Sequence, residues 1–279
     1  MVIPAFNEIH GIERCLTETV AVMRDSGRPF EVILVDDGSD DATADRAVEL
    51  ARGIPEVRVL SANENAGKGA ALMHGALQAR HHLVLFVDAD LEIHPRQFAV
   101  LVHRMQDEQA DIVIGSKMHP DSVVDYPTER RILSLGYYAL VRLLFRLPVR
   151  DTQTGLKLYR REVLQDVIPR LLCKRFAMDL ELLVTAHRHG AKIVEAPVVV
   201  TRERDFPRIG GSDVRNVMQD TAAIWYRTYI LRHYDRPVVR WQELTPTPRT
   251  EEGHGTAAAA SDGPAPEDDP ADVQDRVTR

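Results

Sequence analysis

The chain has 279 residues, 44% of them hydrophobic, and a formal charge of -7. That apolar content supports one large or two modest domains. No apolar run approaches the roughly 18 residues of a membrane-spanning helix, and the N-terminus lacks the charged-then-apolar pattern of a signal peptide. The two cysteines, Cys15 and Cys173, lie in apolar helix-like stretches and read as buried thiols in a reducing cytosol.

"VIPAF" is predicted as a first strand, followed by a helix with Ile12, Leu16, Val20 and Met23 at helical spacing, ending at Gly27. "FEVILVDDGS" is a buried strand ending in acids, "DDATADRAVELARG" a helix and "VRVLSA" a strand. "NAGKGAALMHGALQARH" is a loop and helix, "HLVLFVDAD" a strand, "PRQFAVLVHRMQDEQ" a helix opened by Pro95, and "ADIVIGS" a strand. Further on come a long apolar, arginine-bearing helix over "TERRILSLGYYALVRLLFRLPV" and a turn, strand and helix start over "DTQTGLKLYRREVL". A helix over "FAMDLELLVTAHRHG", a strand over "AKIVEAPVVVTRE" and a last helix over "DVRNVMQDTAAIWYRTYILRHY" follow. The alternation predicts an α/β fold: a mainly parallel sheet with helices on both faces. Residues 244–279 are rich in Ala, Pro, Gly and acid, and are predicted to be a disordered acidic tail.

In parallel sheets ligands bind beyond the carboxyl ends of the strands. That rim gathers Asn7–Glu8, Asp36–Asp37, Asp88–Asp90 and Ser116–Lys117. Asp88, Asp90 and Glu92 alternate, so as a strand they share a face. Three half-buried acids repel unless a cation neutralises them, and hard oxygen ligands suit Mg²⁺ or Mn²⁺ shared with phosphates. The plainer alternative has Asp90 capping the next helix and Glu92 facing water. Asp36 is able to accept hydrogen bonds from a base or a ribose, while Ser39 or Asp40 caps a helix. Gly67, Lys68 and Gly69 open a helix where backbone N–H groups and an ammonium meet phosphate. The Walker and dinucleotide-binding glycine patterns are both incomplete here, which argues against a kinase and a dehydrogenase.

"VIPAFNE", "VDDGSDDAT", "NAGKGAAL" and "VDADLEIHP", in that order, resemble family 2 of the nucleotide-sugar glycosyltransferases. "GSK", "DTQTGLKLYRREVL" and "FAMDLELL" extend the likeness to about residue 205 and resemble the polyprenyl-phosphate (dolichyl-phosphate) mannosyl- and glucosyltransferases. The resemblance implies a GT-A fold over residues 1–243, with a nucleotide-sugar half (1–118) and an acceptor half (119–243). It implies Pro4, Phe6 and Glu8 beside Asp36 in a nucleoside pocket, Asp88 at the sugar-diphosphate, and Asp90 and Glu92 on the metal. Glu92 stands where such proteins often carry Gln, and its extra charge is expected to tighten cation binding. Several residues usually precede the "VIP" stretch in the family, so the sequence is expected to start late, leaving the sheet without part of a central strand.

The implied reaction is inverting transfer of a hexose from GDP-mannose or UDP-glucose to polyprenyl phosphate. A lipid phosphate needs cations rather than a base: Lys117, Arg130 with Ser134 (Arg131 being the neighbouring alternative), and Arg202 or Arg204. Lys117 replaces the family's usual Arg and lacks its bidentate grip. A sugar hydroxyl would need a base, and Asp179 is the candidate, unless it only complements a helix dipole. Asp151 and Gln153 shape the acceptor side or simply form a turn. A third reading is a non-catalytic nucleotide-sugar binding protein. The arginine-bearing helix either lies in a headgroup plane or packs over the sheet. The protein is expected in the cytoplasm, with the inner membrane face as a peripheral docking surface and no nucleic-acid partner.

Overall fold

The apolar runs predicted as strands are strands in the structure, a computed structural model that describes residues 1–124, 128–175, 177–201 and 211–237. Side chains of residues 128–133 and 211–214 lie outside that description, as do Arg202, Arg204 and the predicted tail. The elements in chain order are β1 (Val2–Ala5), α1 (Ile12–Asp25), β2 (Val32–Asp36), α2 (Thr43–Ala51), β3 (Val57–Ser61), α3 (Lys68–Gln78) and β4 (Leu83–Phe86). They continue with α4 (Phe98–Asp107), β5 (Ile112–Ser116), α5 (Thr128–Phe145), β6 (Lys157–Arg160), α6 (Arg161–Val167), α7 (Ala177–Arg188), β7 (Ile193–Pro197) and α8 (Gly211–Tyr229).

The seven strands form one sheet in the order β3-β2-β1-β4-β6-β5-β7. All neighbours are parallel except β6, which runs antiparallel to both β4 and β5. Along each strand successive side chains enter opposite layers. Val2, Ile33, Val84, Phe86 and Ile114 meet α3, α5, α6, α7 and α8 in one core. Ile3, Leu34, Leu85 and Val113 meet α1, α2 and α4 in the other. The predicted helices on both faces are therefore present.

Reversal of β6 matters for the site. A parallel strand brings its last residue to the carboxyl rim, whereas β6 brings its first. Lys157 pairs with Phe86 at the end of β4 and with Ile114 of β5. The "DTQTG" loop is thereby carried to the same rim as Asp88.

Helix α7 is fixed from behind by Glu181, which is fully buried. Its Oε1 accepts from Arg227 Nη1 (2.6 Å) and from the Tyr234 hydroxyl, and its Oε2 accepts from the backbone N–H groups of Leu172 (2.9 Å) and Cys173 (2.7 Å). One carboxylate thus ties α7 to α8 and to the loop before it. Cys15 is fully buried, and burial pushes its thiol up to about 12. Cys173, expected to be buried, is only partly so, because its loop lies at the surface beside Arg227. Helix α5 packs over the sheet through Val141 and Phe145, which enter the core, while Leu135 and Leu143 face outward. Among the described residues no helix is long and apolar enough to cross a membrane.

Replacing Glu181 with Gln removes the charge that neutralises Arg227. We expect a loss of about 3 kcal/mol in urea unfolding, the lower end for breaking a buried ion pair.

Candidate active site

Strand β4 ends at Phe86, before the acids. The strand alternation assumed for Asp88, Asp90 and Glu92 therefore does not apply. The chain turns after Asp88, with Leu91 in the left-handed region (φ 57°) and its side chain buried. Such a backbone costs roughly 1–2 kcal/mol for an L-residue and persists only where the surroundings demand it. Asp90 Oδ1 accepts the Glu92 N–H at 2.9 Å, closing a local turn. Three acids thus leave one strand end in three environments.

Asp88 faces lysine. Its Oδ1 lies 2.5 Å from Lys68 Nζ, which reaches it from the first turn of α3. Burial acts against the Asp88 carboxylate, but Lys68, Lys157 and Lys117 together overcome it and hold its pKa below the usual aspartate range. Asp90 goes the other way: burial first, then the Asp88 and Glu92 carboxylates, push its pKa up. Glu92 Oε2 is bound by Lys117 Nζ at 2.7 Å. Its extra negative charge, expected to tighten a cation site, is largely neutralised by Lys117. The two residues expected to depart from the family pattern are thus ion-paired with each other.

The glycines of "NAGKG" serve packing. Gly67 has φ 102°, and a Cβ there would strike the Lys174 carbonyl; a Cβ on Gly69 would lie 2.6 Å from Met178 Cβ. The N–H groups of Ala66 and Gly67 donate to Asp37 (3.0 and 2.8 Å), and that of Ala70 to the Lys174 carbonyl (2.8 Å). The helix start is thus partly closed by protein acceptors, so the predicted phosphate cradle of N–H groups is reduced. Lys68 keeps its place on the rim through its ammonium.

Asp36 is buried and accepts both the hydroxyl and the N–H of Ser39, which orders the loop after β2. Asn7 ties this loop to the end of β1: its N–H donates to Ser39 Oγ and its Oδ1 accepts from Asp40 (both 2.9 Å). The Glu8 N–H donates to Thr43 Oγ1 at 2.9 Å. Phe6 stands 42% exposed beside this corner, whereas Pro4 is buried inside β1 and offers no surface. On the other flank, Asp151 accepts the N–H groups of Lys117 (3.0 Å) and Gln153 (3.1 Å), so it is a loop organiser. Ser134 lies half-buried on α5, while the Arg130 side chain is outside the described residues.

Two rim residues escaped the sequence reading. Lys157 is 1% exposed, and its Nζ donates to the Thr154 carbonyl (2.6 Å) and to Asp179 Oδ1 (2.5 Å). Asp179, the candidate base, therefore spends one oxygen on a buried ammonium. Gly155 touches Asp88 so closely that a Cβ would sit 2.0 Å from Asp88 Oδ2. The available signal was a lysine inside the apolar "GLKLY" run.

Among the described residues no three His, Cys, Asp or Glu side chains converge to cage a metal. The donor chemistry nevertheless suits a shared cation. Asp90 is crowded by carboxylates, and Glu92 Oε1 is buried without a hydrogen-bond partner. Mg²⁺-type ions need only one or two carboxylates when substrate phosphates complete the shell. A separate, mostly apolar cavity of about 280 Å³ lies beside the amino ends of β1, β2 and β4, away from this rim.

Residues 1–168 match the family described as Glycosyl transferase family 2. The chain belongs to glycosyltransferase family 2. It is 35% identical over 208 residues to a dolichyl-phosphate beta-glucosyltransferase of Trichomonas vaginalis, covering 71% of this chain and 62% of that protein. A glycosyltransferase (AglD) of Haloferax volcanii is 34% identical over 200 residues, covering 71% and 32%. The chain thus spans less than two thirds of these relatives. Among solved structures, the fold is similar to mannosyl-3-phosphoglycerate synthase from Rubrobacter xylanophilus (TM-score 0.61, 16% identity, 88% of this chain and 77% of that one). It is also similar to glucosyl-3-phosphoglycerate synthase from Mycobacterium tuberculosis with Mn²⁺, UDP and phosphoglyceric acid bound (TM-score 0.58, 23% identity, 85% and 78%). These likenesses establish the GT-A fold.

Gly155→Ala should drive the Asp88 carboxylate off Lys68. We expect glycosyl transfer to fall at least about tenfold, measured by turnover, with a stability loss of about 1–3 kcal/mol from overpacking, measured by calorimetry.

Proposed function

We propose that this protein is an inverting glycosyltransferase that moves a hexose from a nucleotide-sugar to polyprenyl or dolichyl phosphate. Glucose from UDP-glucose is the first choice, since similar proteins of Trichomonas vaginalis, Dictyostelium discoideum and Drosophila melanogaster carry the name dolichyl-phosphate beta-glucosyltransferase. One observation favours a phosphate acceptor over a hydroxyl. Asp179, the candidate base, is buried and ion-paired with Lys157. A hydroxyl acceptor needs a base to take its proton. A phosphate monoester is already anionic near neutral pH, so held in line it attacks the anomeric carbon unaided.

In this reading Phe6 stacks on the nucleoside base, Glu8 and Asp36 complete that corner, and Pro4 supports it from within β1. Asp90, with Glu92 beside it, would hold Mg²⁺ or Mn²⁺ on the donor diphosphate, and the cation would neutralise the leaving group. Asp88 orients the sugar end of the donor, with its carboxylate fixed by Lys68 and by the close approach of Gly155. Lys117, Arg130, Ser134 and Arg202 are the proposed acceptor-phosphate contacts.

The acceptor is a lipid, so the enzyme has to meet a membrane surface. The ends of α5 and α8 supply a suitable face. Phe145 and Tyr229 stack at 6.5 Å, and Leu143 (78% exposed), Trp225, Ile230 and Leu231 face outward next to Arg142 and Arg232. Exposed apolar and aromatic side chains flanked by arginine suit a headgroup layer.

The test is incubation with labelled UDP-glucose or GDP-mannose, Mn²⁺, and polyprenyl phosphate in anionic vesicles. We expect lipid-extractable label from UDP-glucose, lost on omission of the lipid phosphate and in Asp90→Ala. Leu143→Glu/Ile230→Glu should slow transfer to vesicle-borne acceptor while sparing a short, water-soluble prenyl phosphate. Label on a soluble sugar hydroxyl, abolished in Asp179→Asn, would replace this reading, and binding without turnover would leave a non-catalytic nucleotide-sugar protein.

A further inference from the structure

Lys68 feels three carboxylates, Asp90 the most weakly, and two of them dominate. One is Asp88, in direct contact at 2.5 Å. The other is Asp179, which acts on the Lys68 ammonium second only to Asp88 among the groups that favour its charged form. Chain geometry explains the proximity: Gly69 packs against Met178, and Lys68 and Asp179 are the adjoining residues. The Lys68–Asp88 pair is about a quarter to a third exposed, whereas Asp179 is almost fully enclosed. Half-exposed ion pairs are weak, and an enclosed carboxylate without a counter-ion is strongly unfavourable. Between the two acids, an uncompensated Asp179 is the stronger claimant on Lys68.

Lys157 prevents that exchange. It enters from β6, fully buried, and donates to Asp179 Oδ1 and to the Thr154 carbonyl. We propose that Lys157 is a positioning residue: by saturating Asp179 it reserves Lys68 for Asp88, and so fixes the carboxylate that faces the donor sugar. Lys157 itself is enclosed by protein and touches no substrate. Its bond to the Thr154 carbonyl also seats the loop that presses Gly155 against Asp88, so both restraints on the Asp88 side chain pass through one ammonium. The consequence for donor binding rests on the proposed nucleotide-sugar reading; the partner of Lys68 does not.

The experiment is a cycle of three variants, Lys157→Met, Asp179→Asn and the double, each taken to a crystal structure and to calorimetric titration with UDP-glucose and Mn²⁺. In Lys157→Met, Lys68 Nζ should lie on Asp179, and the donor Kd should rise at least about tenfold. In the double neither buried charge is left unpaired and Asp179 no longer competes, so Lys68 should stay on Asp88, with Kd within about threefold of the parent; Asp179→Asn alone strands the buried Lys157 ammonium and measures that separate cost. Rescue by removing the second charge is the signature, since a residue acting directly on the donor would weaken binding in both backgrounds. Lys68 remaining on Asp88 in Lys157→Met, or a double as weak as the single, would overturn the proposal. If Lys157→Met does not fold, the double alone decides: parental binding supports the proposal and a tenfold loss refutes it. A parent chain that binds no nucleotide-sugar refutes the functional reading, and the position of Lys68 still decides this one.

Discussion

Two ammonium groups and two carboxylates alternate at the carboxyl end of β4: Asp88 on Lys68, and Asp179 on Lys157. Lys157 and Asp179 are almost fully enclosed and neither is tolerable alone, because a buried unpaired charge costs several kcal/mol. Together they nearly cancel, and they hold each other in position. The acids next to them behave according to whether they join this arrangement. Asp88 is held in its charged form, and Glu92 finds Lys117. Asp90 lacks such a lysine contact and is pushed toward its neutral form. That imbalance is what a divalent cation and a diphosphate would correct.

The fold supplies the four charges from four separate elements. The turn after β4 delivers Asp88, and the start of α3 delivers Lys68. The reversed strand β6 delivers Lys157, and the start of α7 delivers Asp179. Close packing sets their spacing: Gly69 lets α3 approach Met178, and Gly155 lets the loop before β6 touch Asp88. Glu181, two residues beyond Asp179, anchors α7 from the opposite side. The apolar layers therefore act on the chemistry indirectly, by fixing where helix starts meet strand ends.

Much of this was legible in the chain. Continuous apolar runs ending in acids gave the strands and their functional rim, and 3.6-residue spacing gave the helices. Asp88, Asp90 and Asp36 were singled out as candidates because ligand sites of parallel sheets lie at strand ends, and Lys68 because it opens a helix behind glycines. What stayed hidden depended on contacts distant in sequence. Periodicity does not encode strand direction, so the reversal of β6 was invisible, and Lys157 with it; its partner lies 22 residues away. Glu92 and Lys117 were each read as an isolated departure from a family pattern, although they are partners 25 residues apart. The "NAGKG" glycines resembled an anion cradle because close helix packing and phosphate binding favour the same residue. The left-handed Leu91 defeated the alternation argument, since nothing in "DADLE" announces a positive φ.

The central claim is that this charged rim is the donor site. The most direct measurement is a crystal structure of the protein with UDP-glucose and Mn²⁺. The account predicts the diphosphate at the carboxyl ends of β1, β2 and β4, with the ion on Asp90 and the Lys68–Asp88 pair intact. A nucleotide seated elsewhere, such as in the apolar cavity beside His81 and His82, or a diphosphate remote from Asp90, would contradict it.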